Sequence, residues 1–323
     1  MGFNKRTGLW GTASAISSQV NGTSIFDDPT FDRKWGMFAD GVATIGHTYD
    51  TTEWVPAGWG ITGVQGGFIL PVRDVFYQVQ SCYRPVICDL ATKQWKKAAG
   101  EGSEGISQAT VLNTGGGNSC VIDLPNRRYL MIAGATSRLT NDRIATLTFA
   151  DISGMGVQSH GPVFPGVLVP RYPVQVMVPS KRKVVIAGAG EDYTLQIMTY
   201  DADALDNIHA VAWQGDSIYS CAGLGLAWCA WAGYFIAMPC ASPTYDWQNQ
   251  NMTPEFTKPV VELFRITPDW NGSPWTIKRV PISGAFGYTP TFTGKRFFAD
   301  ESDRTVNWVS SYGGPVYSVK IPA

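Results

Sequence analysis

Histidine is scarce in this chain, with only His47, His160 and His209, and the six cysteines include no CxxC pair. Zinc and redox sites are built from such spacings, so neither is predicted, and no cofactor or metal is expected. Cys82, Cys88, Cys120, Cys221, Cys229 and Cys240 read as buried thiols of a reducing compartment. No Gly-x-Ser-x-Gly elbow accompanies the histidines, so nucleophilic catalysis has no support and no catalytic residue is assigned. Long apolar runs are also missing. The longest candidate, 223–240, is interrupted by Gly225, Gly233 and Pro239, which excludes a spanning helix. The first residues lack the apolar core of a signal peptide. A soluble protein, cytoplasmic or part of a virion, is expected, with no membrane partner. Net charge is -1, so overall charge gives no pull towards nucleic acid. Amphipathic helical periodicity is absent as well; the nearest approach, 201–212, fits a long outer turn.

Turn formers and aromatic residues are plentiful: 35 Gly, 20 Pro and 12 Trp. They punctuate a recurring pair of apolar runs around a short polar turn. The copies are 24–39, 67–79, 120–134, 175–188, 225–239 and 296–311, and each predicts a β-hairpin. A third apolar run follows the first five hairpins, at 42–54, 84–95, 144–154, 194–205 and 260–275. Trp54, Trp95, Trp213 and Trp275 stand after the turn that ends four of these runs, so a fourth, outer strand is expected to begin there. Four antiparallel strands in roughly 40–60 residues is the period of a propeller blade.

Six units account for 1–323 as one domain, with blades near 23–57, 66–98, 119–160, 174–215, 225–280 and 296–323. The prediction is therefore an all-β, single six-bladed β-propeller of four-stranded antiparallel blades. The last copy ends at Val316–Ala323 with a third strand and no fourth. The strand-like 7–18 segment, carrying Trp10, is expected to complete that blade and protect its edge. Residues 281–295 leave a seventh, degenerate blade open.

The pairs Tyr49-Asp50, Cys88-Asp89 and Tyr200-Asp201 before the outer turn, the Trp after it, and the small ends of the second strands (Ala133-Gly134 and 187–190) resemble the kelch-like β-propellers. That resemblance spans nearly the whole chain and implies architecture, not activity, because propellers host unrelated functions. A single Trp- and Gly-rich propeller without a signal peptide also resembles the virion proteins of tailed bacteriophages. This likeness implies a tail or host-recognition component working among protein partners in a larger assembly.

Within such a blade the first-to-second turns open on one face and the second-to-third loops on the other. The long segments 98–119, 135–143, 161–173, 241–259 and 281–295 fall mainly on the latter, where recognition is expected. In 241–259, Tyr245, Asp246, Trp247, Gln248, Asn249 and Gln250 set stackable rings beside planar amides and a carboxylate. This is a chemistry suited to protein or sugar recognition. An equally weighted alternative is that Tyr245 and Trp247 pin the loop to its own blade.

The short turns carry Arg33, Lys34, Arg73, Arg127, Arg128, Lys181, Arg182, Lys183 and Arg304. They are opposed by Asp27, Asp28, Asp32, Asp74, Asp123, Asp300, Glu301 and Asp303, so mixed, solvated turns are favoured over a nucleic-acid ring. The functional expectation is a non-enzymatic structural or recognition propeller. The alternative is a lectin or glycan-active hydrolase using the same loops, with Asp246, Glu255 or Glu191 as carboxylates.

Overall fold

The computed structural model describes residues 3–4, 9–10, 17–18, 43–44, 52–57, 66–70, 86–92, 94–97, 118–133, 144–151, 154–160, 170–190, 192–205, 208–219, 224–239, 245–246, 251–252, 261–284, 297–309 and 315–323. Among them the chain is all-β, with a single 3-10 turn at Pro179–Lys181 and no α-helix.

Five larger sheets follow one another along the sequence. The 53–97 sheet orders Glu53–Val55, Gly67–Leu70, Val86–Asp89 and Gln94–Lys97 as an antiparallel meander. The 118–160 sheet does the same with Asn118–Asp123, Arg128–Ala133, Ile144–Asp151 and Gly154–His160. In the 171–210 sheet the strands are Arg171–Val178, Lys183–Ala189, Leu195–Asp201 and His209–Ala210. The 213–280 sheet contains Leu224–Cys229, Tyr234–Pro239, Leu263–Thr267 and Trp275–Val280, with Trp213–Gly215 added in parallel on its outer edge. The 297–320 sheet has three strands, Phe297–Asp300, Thr305–Val309 and Val316–Lys320.

From the 118–160 sheet onward, successive sheets pack face to face, which explains why their middle strands are apolar throughout. Alternate side chains of a strand point to opposite faces. On Lys183–Ala189, Val184 and Ile186 join the cluster shared with the 118–160 sheet, whereas Val185 and Ala187 join the one shared with the 213–280 sheet. On Tyr234–Pro239, Phe235 and Ala237 face backwards and Ile236 and Met238 forwards, onto the 297–320 sheet. The first strand of each larger sheet also contacts the first strand of the next, from Glu53–Val55 through Phe297–Asp300.

Four hairpins share one turn design. The pairs Asp123↔Arg128, Val178↔Lys183, Cys229↔Tyr234 and Asp300↔Thr305 each close a four-residue connection. The last residue of each connection is left-handed: Arg127 at φ 51°, Arg182 at 53°, Gly233 at 72° and Arg304 at 50°. These are the hairpins expected at 120–134, 175–188, 225–239 and 296–311.

Elsewhere the strand assignments need correction. Gly67–Leu70 was expected to pair with the run ending at Val79; it pairs instead with Glu53–Val55 on one side and Val86–Asp89 on the other. Gly67 permits this close seat, because a Cβ there would lie 2.0 Å from the Cys88 carbonyl oxygen. Trp54 therefore lies in the 53–97 sheet rather than on the outside of a 23–57 blade. The hairpin at 24–39 lies outside the described residues. Trp213 begins a strand, but on the outer edge of the following sheet, where Gly215 at φ 109° meets Ile277.

Closure by 7–18 is not what the described residues of that segment display. Leu9–Trp10 pairs with Phe3–Asn4, and Ser17–Ser18 runs parallel to Ala43–Thr44.

Candidate functional site

Two places concentrate polar chemistry. The first is the excursion leaving Pro239 and returning at 261, between strands of one sheet that hydrogen-bond to each other. It departs from the end of Tyr234–Pro239 opposite the 230–233 turn. Inside it, Tyr245–Asp246 pairs with Asn251–Met252 in the register Tyr245↔Met252 and Asp246↔Asn251. Of the six residues expected to form a contact surface, Tyr245 and Asp246 are thus placed on one strand of a small hairpin. Trp247, Gln248, Asn249 and Gln250, which fall between the two strands in sequence, lie outside the described residues, as do Glu255 and Glu191.

The second place is the turn end of the 118–160 and 171–210 sheets. Asp123, closing the first strand, is fully buried. Its carboxylate accepts from Arg128 Nε at 2.8 Å, Asn126 Nδ2 at 2.9 Å, and Arg182 Nη1 and Nη2 at 2.7 and 3.2 Å. Arg182 also donates through Nη2 and Nε to the two Asp203 oxygens at 2.6 and 2.9 Å. Asn126 reaches Asp203 at 3.2 Å, and Arg128 donates to the Ala202 carbonyl. Burial pushes the Asp123 carboxyl up, but the Arg182, Asn126 and Arg128 donors outweigh it and hold the group below the ordinary carboxylate range. The Arg182 hydrogen bond lowers Asp203 in the same sense and, with Asp123, raises Arg182. Two carboxylates matched to two guanidiniums stay ionised, so the group joins sheets and has no proton to exchange near neutrality.

This cluster resolves the charged turns foreseen in the sequence. Arg128 and Arg182 are tied to Asp123 and Asp203, and Lys183 to Asp201 at 3.1 Å. These charges are spent within the molecule, and Asp123 is buried where a solvated turn was expected. Arg33, Lys34, Arg73, Asp27, Asp28, Asp32 and Asp74 lie outside the described residues. Asp203 was the participant missed from sequence, since it sits beyond the third strand and 80 positions from Asp123 in a different sheet.

The repeated Asp residues have structural work. Asp89, Asp201 and Asp269 each accept, on Oδ1, the backbone N–H two residues ahead, at 3.0, 2.9 and 2.7 Å. Such Asx turns start the reversal into the outer strand. Trp275 then donates its indole N–H to the Asp269 carbonyl at 3.0 Å. His209 Nε2 lies 2.9 Å from the Oγ1 of buried Thr199, inside the sheet. Among the described residues no group of three or more His, Cys, Asp or Glu is arranged to hold a metal. Cys88, Cys120 and Cys229 are buried thiols, as expected; Cys82, Cys221 and Cys240 lie outside the described residues.

No family model and no curated protein matches the chain. Among solved structures it is similar to a putative 6-phosphogluconolactonase from Bacteroides uniformis, at 11% identity and a TM-score of 0.37, over 73% of this chain and 62% of that one. A DUF4784 family protein from Bacteroides caccae matches at 9% identity and a TM-score of 0.35, over 79% of this chain and 56% of that one. The chain therefore spans less than two thirds of either structure's length. Likeness at this level transfers neither fold nor activity.

Proposed function

We propose that the chain is a six-bladed propeller serving as a non-enzymatic recognition or assembly module. In this reading it meets protein partners through the end that carries the 240–260 excursion, as a tail or host-recognition component of a virion. The observation that carries the recognition surface is the small hairpin at Tyr245–Asp246 and Asn251–Met252, set into a connection between two adjacent strands. A strand-to-strand connection needs only a few residues. This one is far longer, and its sequence carries Tyr245, Trp247 and four side-chain amides, residue types that make broad contacts at low entropic cost.

Support for the ring comes from the face-to-face stacking of successive sheets and the side-by-side run of their first strands. The six-blade count belongs to the same proposal. The virion setting rests on the resemblance drawn from composition and repeat pattern.

The test replaces Trp247 and Tyr245 together by alanine. Assembly is read by light scattering with size exclusion, sugar binding by a glycan array, and folding by urea denaturation. Loss of self- or partner assembly at an unchanged urea midpoint supports the proposal. Glycan binding lost in the same variant favours the lectin alternative. A monomer that cleaves a glycan overturns the leading reading.

A further inference from the structure

Two joints between neighbouring sheets occupy equivalent positions but use different chemistry. The residue after the shared turn is Arg128 in the 118–160 sheet and Tyr234 in the 213–280 sheet. In the next sheet, the N–H just past the third strand is held by the carbonyl of the left-handed arginine: Ala202 by Arg182 at 2.8 Å, and Ile321 by Arg304 at 2.9 Å. Arg128 crosses to the Ala202 carbonyl. Correspondingly, Trp231 Nε1 crosses to the Ile321 carbonyl at 3.1 Å and the Tyr234 hydroxyl to that of Pro322 at 2.8 Å.

At the position of Asp123 the second joint has Cys229, and at that of Asp203 it has Pro322. The first joint is therefore built on carboxylate–guanidinium bonds, whereas the crossing bonds of the second are neutral, with Arg265 over the Tyr234 ring at 5.5 Å as a charged neighbour. We propose that the joint between the 118–160 and 171–210 sheets is a lock that opens in acid, while the joint between the 213–280 and 297–320 sheets stays closed.

Among the described residues, the charged groups bonded to Asp123 come from two sheets. Arg128 comes from its own sheet, with Asn126 as a neutral donor, and Arg182 comes from the neighbouring turn. Asp203, beyond the third strand, faces both guanidiniums, with Arg128 Nη2 3.9 Å away. Lys183 and Asp201 form a pair alongside. Behind them, Tyr200 is bound to Gln175 at 2.7 Å and Cys120 is buried. With both acids ionised, two negative charges meet the two guanidiniums. Protonating Asp123 leaves a positive excess in a half-buried place and replaces charge-assisted acceptors by a weaker neutral one.

Both carboxyls are lowered by folding, so the stabilisation is complete above their ordinary value of 3.8 and is lost as pH falls through the lower folded values. Burial of Asp123 makes the effect one of pH far more than of salt.

Hydrogen exchange of the full chain, corrected for the intrinsic rate at each pH, tests this. Between pH 5 and 2.5, protection in 119–132 and 174–202 should fall by about tenfold, while 226–238 and 305–321 change less than about twofold. Asp123→Asn should lower protection of the first joint at neutral pH and flatten its pH profile. Should that variant fail to fold, Asp203→Asn, at the exposed end, should lower protection of the first joint at neutral pH and shrink its fall between pH 5 and 2.5, because one of the two titrating carboxylates is gone. Trp231→Phe should loosen the second joint equally at both pH values. Equal losses at the two joints, an acid-resistant first joint, or an unmoved profile in Asp203→Asn would overturn the proposal.

Discussion

Arg182 and Arg304 occupy the same left-handed place in equivalent hairpin turns, at φ 53° and 50°, yet Arg182 is gripped by Asp123 and Asp203 while Arg304 is exposed. A side chain in this backbone region costs energy that glycine avoids. Arg304→Gly should therefore raise stability by about 0.5 kcal/mol. The same change at Arg182 should lower it by about 2 kcal/mol, because it strips charged donors from a buried carboxylate. Urea denaturation of the two variants measures both; a like sign at the two positions would contradict this assignment of roles.

Gly215 is fixed by contact. At φ 109°, a Cβ on it would lie 2.2 Å from the Ile277 carbonyl oxygen, and the N–H of Asp216 donates to that oxygen at 3.0 Å. Gly215→Ala should cost about 2 kcal/mol or more and detach Trp213–Gly215 from Trp275–Val280. Hydrogen exchange at 213–216 and 275–280 should rise sharply, with little change in 119–132. Undiminished protection of that parallel pair would show that the edge tolerates a side chain.

Gln175 ties two sheets without charge. Its amide donates to the Ser119 and Leu130 carbonyls at 2.8 and 3.2 Å and accepts from the Tyr200 hydroxyl at 2.7 Å, all buried. Gln175→Leu and Tyr200→Phe should each cost about 1–3 kcal/mol, since each leaves a buried polar group without a bond it now makes. The double variant should cost less than the sum, because both ends of the shared bond disappear together. A double-mutant cycle in urea gives the coupling, and strict additivity would mean that the bond contributes nothing.

The hairpins at 120–134, 175–188, 225–239 and 296–311 were legible because in each the two apolar runs flank a four-residue turn whose last residue takes the left-handed conformation. The third strands were legible too, since Asp89, Asp201 and Asp269 mark the turn through their own side chains. Gly67–Leu70 was not, because an apolar run does not state which neighbour it chooses; its seat depends on a close approach to Cys88. The destination of Trp213 was hidden likewise, decided by Ile277 and Trp275 more than sixty residues away. At the turn end, composition showed opposed charges but not their pairing across sheets. Of the contact surface, the sequence reading anticipated the long excursion and its residue types, but not the register that sets Asp246 opposite Asn251.

Buried thiols give the last prediction. Burial pushes Cys88 up to about 11, with Asp89 adding to the rise, and pushes Cys229 up to about 12. The thiolate is the reactive form, and its population grows only as pH approaches these values. Both residues should therefore resist iodoacetamide in the native protein at pH 8 and label readily once urea unfolds it. Peptide mass spectrometry separates the sites. In the native protein, raising the pH to 9 should change Cys88 and Cys229 labelling little, because both folded thiols remain protonated there. Rapid native labelling of either at pH 8 would mean that its strand opens far more often than its burial between stacked sheets permits.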